Sequence, residues 1–250
     1  MLAYFDFSGH PSDGEVISIG CWIGTANQWN SFEKKWWKRL RRENVDHFHM
    51  NKFENRYPPF QEWDNDRRLS FIQDLLAFIN NADILGETHA IVLQDWKTLI
   101  EPKFNDPFER KRATYIFLMQ TVIWKIAHRV TLKPNETIAC VFEEDRFVEE
   151  AIGQHFTNLK TDAFLSKCLG TKTFGEKVKF APLQAADLLA YEGMKHALNQ
   201  VIEKGVRPVR KPFDILRRRG NTKAAYMDEV SFIKMLNHMT KDGSIAGITF

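Results

Sequence analysis

The stretch FAPLQAADLLAYEGM, residues 180–194, has the pattern of a buried helix around which the rest of the chain can be arranged. Pro182 suits the first turn of a helix, where a backbone N–H has no partner. Apolar residues recur at helical spacing: Leu183, Ala186, Leu189, Ala190 and Met194. Asp187 lies among them, with Gln184 and Tyr191 one turn away on either side. If this face is buried, Asp187 must be paired, hold a cation or take up a proton. The alternative is an ordinary carboxylate at the boundary of a helix surface.

The composition is that of a globular chain with a sizeable core. Of its 250 residues, 44% are hydrophobic and 13% aromatic. No apolar run approaches the ~18 residues of a membrane span, and no signal-like segment opens the sequence, so no membrane partner is expected. The three cysteines, at positions 21, 140 and 168, are too far apart for a short metal-binding motif. They predict buried thiols in a reducing cytoplasm.

The order of the predicted elements is that of an α/β fold with a mixed β-sheet flanked by helices. Strands are predicted at residues 2–7, 15–23, 84–93 and 137–142, with one short strand within 169–180, and the first two form a hairpin. In the first strand, Asp6 is expected on the face opposite to Ala3 and Phe5. Helices are predicted at residues 27–42, 61–80, 108–129, 147–159, 180–194 and 224–239, with a polar loop between residues 93 and 108. Leu69 is expected in the core and Arg39 on the outer basic face of its helix. Pro208 and Pro212 interrupt the basic segment 204–219, which predicts an exposed loop. We therefore expect a main α/β domain over 1–203, with a basic loop and C-terminal helix over 204–250 packed on it.

Three acidic residues come from separate predicted elements. Asp6 ends the first strand, Glu143 follows the strand at 137–142, and Asp187 lies on the helix described above. Sites in such folds gather where strand ends and helix faces converge. Carboxylates suit Mg²⁺ or Mn²⁺, and such ions can activate water for attack at phosphorus. Three acids chosen from 32 are weak evidence when taken alone.

Four short motifs resemble, in the same order, a bacterial family known as domain of unknown function 3800. The motifs are YFDFSG at 4–9, FHMNKF at 48–53, VFEED at 141–145 and APLQAADLLA at 181–190. The resemblance covers about residues 1–200 and leaves the basic segment uncovered. The last of the four motifs is the most specific.

The resemblance implies a ribonuclease-H-like fold and a metal-dependent nuclease that hydrolyses phosphodiester bonds of nucleic acid with Mg²⁺ or Mn²⁺. By analogy Asp6, Glu143 and Asp187 hold the metal. His49 matches the family's histidine and is expected to orient water or move a proton. Ser8 and Gln184 match motif positions that orient ligands or phosphate. Glu144, the adjacent acid, replaces Glu143 if the strand register is shifted by one.

The chain also departs from the family pattern. Phe7 stands where the family has Glu, and Asn51 and Lys52 follow His49 where an acid is often found. Both changes remove negative charge from a two-metal site. The interpretations that remain open are a site with one metal, recruitment of Glu144 or Glu15, and loss of catalysis. The last gives a second hypothesis, a catalytically decayed ribonuclease-H-like module that binds nucleic acid or protein.

Two basic stretches, residues 34–42 and 204–219, are candidates for contact with nucleic acid. If both border the acidic site, they form a track for a polyanion that contacts phosphates without reading sequence. The side chains expected to contact substrate are Lys52, Arg210 and Lys211. The alternative is two separate solvated faces. DNA and RNA are not distinguished, and the oligomeric state is not predicted. Four tryptophans are expected to pack in the core rather than stack on bases: Trp29, Trp36, Trp37 and Trp63.

Overall fold

The computed structural model describes residues 1–12, 14–237, 244–245 and 248–249, and its centre is a six-stranded mixed sheet. The strands are β1 (Leu2–Ser8), β2 (Val16–Gly24), β3 (Leu85–Val92), β4 (Ile138–Glu143), β5 (Leu169–Gly175) and β6 (Thr222–Met227). Their order in the sheet is β5-β4-β1-β2-β3-β6. β2 runs antiparallel to both β1 and β3, while β4 is parallel to β1, β5 to β4 and β6 to β3. Two short strands, β7 (Ser244–Ile245) and β8 (Ile248–Thr249), pair separately.

Helices cover both faces of this sheet. They are α1 (Ala26–Arg42), α2 (Met50–Glu54), α3 (Asn65–Asn81), α4 (Leu93–Leu99), α5 (Pro107–Arg129), α6 (Arg146–Leu159), α7 (Leu165–Cys168), α8 (Ala181–Ala197), α9 (Lys211–Arg217) and α10 (Glu229–Asn237). A 3₁₀ turn spans Glu101–Lys103, and a π turn continues α8 over Leu198–Ile202. Thr25 forms a capping box with Gln28 at the start of α1. Aspartates cap three other helices: Asp64 on α3, Asp106 on α5 and Asp145 on α6.

The core consists of two layers separated by the sheet. Ala3 and Phe5 of β1 face the layer that contains α5 and α6, whereas Tyr4 faces the layer that contains α1, α3 and α8. This alternation puts Asp6 on the same face as Tyr4, towards α8. Because helices cover both faces, β2 is buried along its whole length.

Helix α8 lies directly against β2. A Cβ added to Gly20 would lie 2.5 Å from the backbone nitrogen of Ala190 and 2.6 Å from the carbonyl oxygen of Ala186, so only glycine allows this approach. The contact is reinforced by hydrogen bonds from Ser18 Oγ to the carbonyl of Ala190 (2.6 Å) and from Trp22 Nε1 to the carbonyl of Ala185 (3.0 Å). The close packing holds the polar face of α8 beside the end of β1.

The structure confirms the α/β class, the mixed sheet, the hairpin of β1 and β2 and most helices before residue 200. Trp29, Trp36 and Trp63 are buried and Trp37 is partly buried, as expected for core residues. None of the described helices is both long and apolar enough to cross a membrane.

The sequence prediction is wrong in the C-terminal segment. Residues 222–227, expected to begin the last helix, form β6, because pairing with β3 outweighs the helix preference of Ala224 and Ala225. The last described helix begins at Glu229, and its predicted end at residue 239 lies outside the described residues. The expected basic loop contains α9, which buries Phe213 and Leu216.

Two residues lie on the opposite side from that predicted. Leu69, expected in the core, is 52% exposed, because the buried face of α3 is centred on Phe71 and Leu75. Arg39, expected on the outer basic face of α1, is buried and forms ion pairs with Glu43 and Asp74. Residues 94–99, expected in the polar loop, belong to α4, which also includes Leu93, expected as the end of a strand.

Candidate active site

The three predicted metal carboxylates converge on one point, which the ammonium group of Lys177 occupies. Lys177 Nζ lies 2.8 Å from Asp6 Oδ2, 3.0 Å from Glu143 Oε2 and 3.1 Å from Asp187 Oδ1. We call this position the cation point. Lys177 and Asp6 are 7% and 1% exposed, so the charges meet in a site largely removed from water.

The topology explains this convergence. Since β1 and β4 are parallel neighbours, with Phe5 opposite Phe142, their carboxyl ends reach the same edge of the sheet. Asp6 and Glu143 are the residues that directly follow Phe5 and Phe142. Asp187 approaches from α8 in the layer above. Lys177 enters from the turn between β5 and α8.

Gln184 fixes the position of that turn. Its side chain is fully buried, and its Nε2 donates a hydrogen bond to the carbonyl of Lys177 (2.9 Å). Its Oε1 accepts hydrogen bonds from Trp36 Nε1 (2.8 Å) and from the backbone N–H of Phe48 (2.9 Å). In this arrangement Gln184, expected to orient ligands or phosphate, joins three protein segments around the cation point.

His49, predicted to orient water or move a proton, lies beside Asp187. The backbone N–H of Met50 donates to Asp187 Oδ2 (2.6 Å), and His49 Nδ1 lies 3.5 Å from Asp187 Oδ1. Burial lowers the pKa of His49 and the nearby Asp187 carboxylate opposes this only in part, so the imidazole is neutral near pH 7. Its Nδ1 atom is buried and makes no hydrogen bond within the described residues.

Burial and neighbouring charges shift the pKa values of Asp6, Glu143 and Lys177 in different directions. Burial, and then the neighbouring acids, raise the pKa of Asp6 well above its usual value, although Lys177 opposes this. Burial also acts to raise the pKa of Glu143, but a hydrogen bond with Asp6 and the charge of Lys177 outweigh it and lower that pKa. Burial disfavours the charged form of Lys177, yet the three carboxylates raise its pKa well above the usual range. Lys177 therefore stays charged, and Asp6 is more inclined than Glu143 to keep a proton.

Two cavities border the cluster. One of about 310 Å³ opens over Lys177, Glu143 and Asp187, and Ser8 lies on its wall, where its Oγ donates to the sulfur of Met194 (3.7 Å). A second cavity of about 230 Å³ borders Asp6 and Glu143. Its aromatic lining consists of Phe7, Tyr115 and Phe147. The ring of Phe7 packs edge-on against that of Tyr115, with centroids 4.9 Å apart.

The other predicted site residues lie outside the cluster. Glu144, Glu15, Lys52 and Lys211 are exposed. The register leaves Glu143, not Glu144, in contact with Lys177, while the backbone N–H of Glu144 pairs with the carbonyl of Gly175.

Arg210 belongs to a separate ion-pair network. Its guanidinium contacts both carboxylate oxygens of the fully buried Glu192 and lies 2.9 Å from Glu54. The charge of Arg210, predicted to meet substrate, is therefore balanced within the protein.

The donor set at the cation point is suited to a divalent ion, but the arrangement with Lys177 in place is not a metal site. No group of three or more His, Cys, Asp or Glu side chains in the described part of the chain is arranged to hold a metal. The distances of 2.8–3.1 Å to Nζ fit an ammonium and exceed the ~2.1 Å of Mg–O bonds. The hard oxygen donors and the buried Asp6 Oδ2, which accepts no hydrogen bond within the described residues, fit a cation that replaces the ammonium.

Lys177 is not among the site residues predicted from the sequence. Lys172, Lys177 and Lys179 all lie in the Lys-rich segment before α8, and no local pattern distinguishes the one that turns inward. The only available signal is indirect, because three acids meeting in a core require a cation, and this segment is the nearest source in sequence.

The chain matches no protein-family model, no curated protein and no solved structure. The resemblance to the domain-of-unknown-function 3800 family therefore depends on the four short motifs.

Proposed function

We propose that this protein is a divalent-cation-dependent nuclease that hydrolyses phosphodiester bonds of nucleic acid, with a ribonuclease-H-like fold. The observation that carries the proposal is the cation point, where carboxylates from β1, β4 and α8 surround one positive charge beside an open cavity. The fold proposal is supported by the strand order β3-β2-β1-β4-β5. In this order β2 runs antiparallel to β1 and β3, while β4 and β5 run parallel to β1. β6 is then an addition beside β3.

Each side chain has a defined part in this proposal. Asp6, Glu143 and Asp187 would hold Mg²⁺ or Mn²⁺, and the bound cation would supply water activation and charge neutralisation at phosphorus. His49 is neutral near pH 7 and lines the cavity, so its imidazole can take up a proton at the edge of the cavity. Ser8 lies on the cavity wall, where a hydroxyl can donate to a phosphate oxygen.

Surface charge favours a polyanionic substrate. Basic side chains on the outer face of α1 are exposed: Lys34, Lys35, Lys38, Arg41 and Arg42. Such a face attracts phosphates without selecting a base sequence. The three cysteines are free and buried, which fits a protein of the reducing cytoplasm.

One observation favours the second candidate, a catalytically decayed module that binds nucleic acid or protein. Lys177 already places a positive charge among the three carboxylates, so in this arrangement the cluster contains a cation without any metal. The two functions differ in whether a divalent cation produces cleavage.

The test is cleavage of labelled single-stranded DNA, duplex DNA and RNA with Mn²⁺ or Mg²⁺, with and without chelator. Nuclease activity predicts cleavage by the wild type and by Glu144→Gln, and loss of at least about a hundredfold in Glu143→Gln. Glu144 is the matched control, because it neighbours Glu143 but is exposed. Salt-sensitive retention of nucleic acid without cleavage under any metal condition would refute the nuclease and favour the binding module.

A further inference from the structure

The cation point is not saturated by its ammonium. Asp6 Oδ2 accepts no geometrically aligned hydrogen bond among the described residues, and His49 Nδ1, also buried, has no hydrogen-bond partner among them. The contact of Asp6 Oδ2 with Lys177 Nζ, at 2.8 Å, is an ion pair, whereas Asp187 Oδ1 accepts a hydrogen bond from this ammonium at 3.1 Å. An ammonium has three donor hydrogens in fixed directions, whereas a spherical ion imposes weaker angular demands on surrounding oxygens.

The side chain of Lys177 can leave the cation point without a change in the backbone. The carbonyl of Lys177 is held by Gln184, which Trp36 and Phe48 hold in turn. Only the flexible four-carbon stem needs to rotate. The cavity of about 310 Å³ that Lys177 lines provides the space for the displaced ammonium.

We propose that the cation point has two alternative occupants, the Lys177 ammonium and a single divalent cation, and that the cation displaces the ammonium into the adjacent cavity. Both occupants use the same three carboxylates, and two positive charges at one point would repel by several kcal/mol. Lys177 is thus the residue that determines how tightly the site holds a metal.

The displaced ammonium would also carry its charge into the cavity over Glu143 and Asp187. A phosphate group that approaches the cluster from that cavity would meet a positive charge that, in the lysine-bound state, lies among the three carboxylates. The exchange therefore links occupation by a metal to recognition of an anionic, phosphate-bearing substrate. This inference rests on the cation site of the proposed function and is independent of whether hydrolysis follows.

The direct test is Mn²⁺ binding to the full chain, measured by electron paramagnetic resonance and calorimetry. Lys177→Met and Lys177→Gln should each bind Mn²⁺ at least about tenfold more tightly than the wild type, since a competing charge is removed. Lys179→Met is the matched control, because Lys179 lies two residues away, is exposed and pairs with Glu176. It should bind Mn²⁺ as the wild type does. Equal or weaker binding by the Lys177 variants, or no binding by any of the proteins, would overturn the proposal.

A second measurement uses the wild type, in case the variants fail to fold without metal. Lys177 is 7% exposed and should resist acetylation in the absence of metal, whereas saturating Mn²⁺ should raise its acetylation rate severalfold, as read by peptide mass spectrometry. Acetylation of Lys179 in the same samples should not change. Continued protection of Lys177 at Mn²⁺ concentrations that saturate the protein would show that the ammonium stays in place, and the proposal would be wrong.

The two proposals can fail separately. If the Lys177 variants gain Mn²⁺ affinity but no protein cleaves nucleic acid, the exchange holds and the nuclease proposal falls. If the wild type cleaves with Mg²⁺ while the Lys177 variants gain no affinity, the nuclease proposal holds and the exchange falls.

Discussion

Replacement of Arg210 by Met distinguishes a structural ion pair from a substrate contact. Glu192 is fully buried on α8, and Arg210 supplies hydrogen bonds to both of its carboxylate oxygens at 3.0 and 3.1 Å. Removing one partner of a buried pair costs about 3–5 kcal/mol, because the remaining charge is left uncompensated. One third of the Arg210 side chain is exposed, so water offsets part of this loss, and we expect about 3 kcal/mol.

The contact of Arg210 with Glu54 adds little to this figure. Both side chains in that pair are about one-third exposed, which places the contact among surface ion pairs worth about 1 kcal/mol or less. For a chain of this size, a loss of about 3 kcal/mol lowers Tm by roughly 6–12 °C.

The assay is thermal unfolding combined with urea titration of four proteins: wild type, Arg210→Met, Glu192→Gln and the double variant. The double variant should recover most of the lost stability, because a neutral amide in place of Glu192 no longer needs a cation. Lys211→Met is the matched control, since Lys211 is the next residue and is exposed. An unchanged Tm in Arg210→Met, with weaker nucleic-acid binding, would refute the buried-pair interpretation and restore Arg210 as a substrate contact.

Two further predictions concern strands β2 and β3 of the central sheet. Gly20→Ala should lower the free energy of unfolding by about 1–3 kcal/mol, because the new Cβ would lie 2.5 Å from the backbone nitrogen of Ala190. The control is Gly153→Ala, which should not lower the free energy of unfolding because there is open space around Gly153. Urea unfolding measures both, and equal stability of the two variants would contradict the close approach of α8. Burial opposes ionisation of Glu87, yet hydrogen bonds and charges from His89 and Arg129 hold its pKa below the usual 4.5. Its stabilising contribution is therefore present above pH 4.5 and lost as pH falls through the lower folded-state pKa. Urea unfolding across this range should show a weaker pH dependence in Glu87→Gln, and an unchanged slope would show that Glu87 is not responsible.

Much of the fold could be predicted because local patterns and tertiary packing agree. The alternation of β1 places Ala3 and Phe5 on one face and Asp6 on the other, as the sequence indicates. The failures occur where non-local pairing decides. Residues 222–227 contain helix-favouring alanines, and only the free edge of β3 makes them a strand. Arg39 follows the basic pattern of α1, but Glu43 and Asp74 draw it inward.

By itself, the sequence determined the class of the fold and the elements that carry Asp6, Glu143 and Asp187. Those inferences follow from periodicity, turn residues and short motifs, which are properties of neighbouring residues. Only the tertiary structure decided what occupies the point where the acids meet. Lys177 is one of several lysines in its segment, and it is selected because the turn held by Gln184 directs it into a buried cluster of negative charge. Burial makes a compensating cation necessary there, and that requirement depends on chain segments that are far apart in sequence.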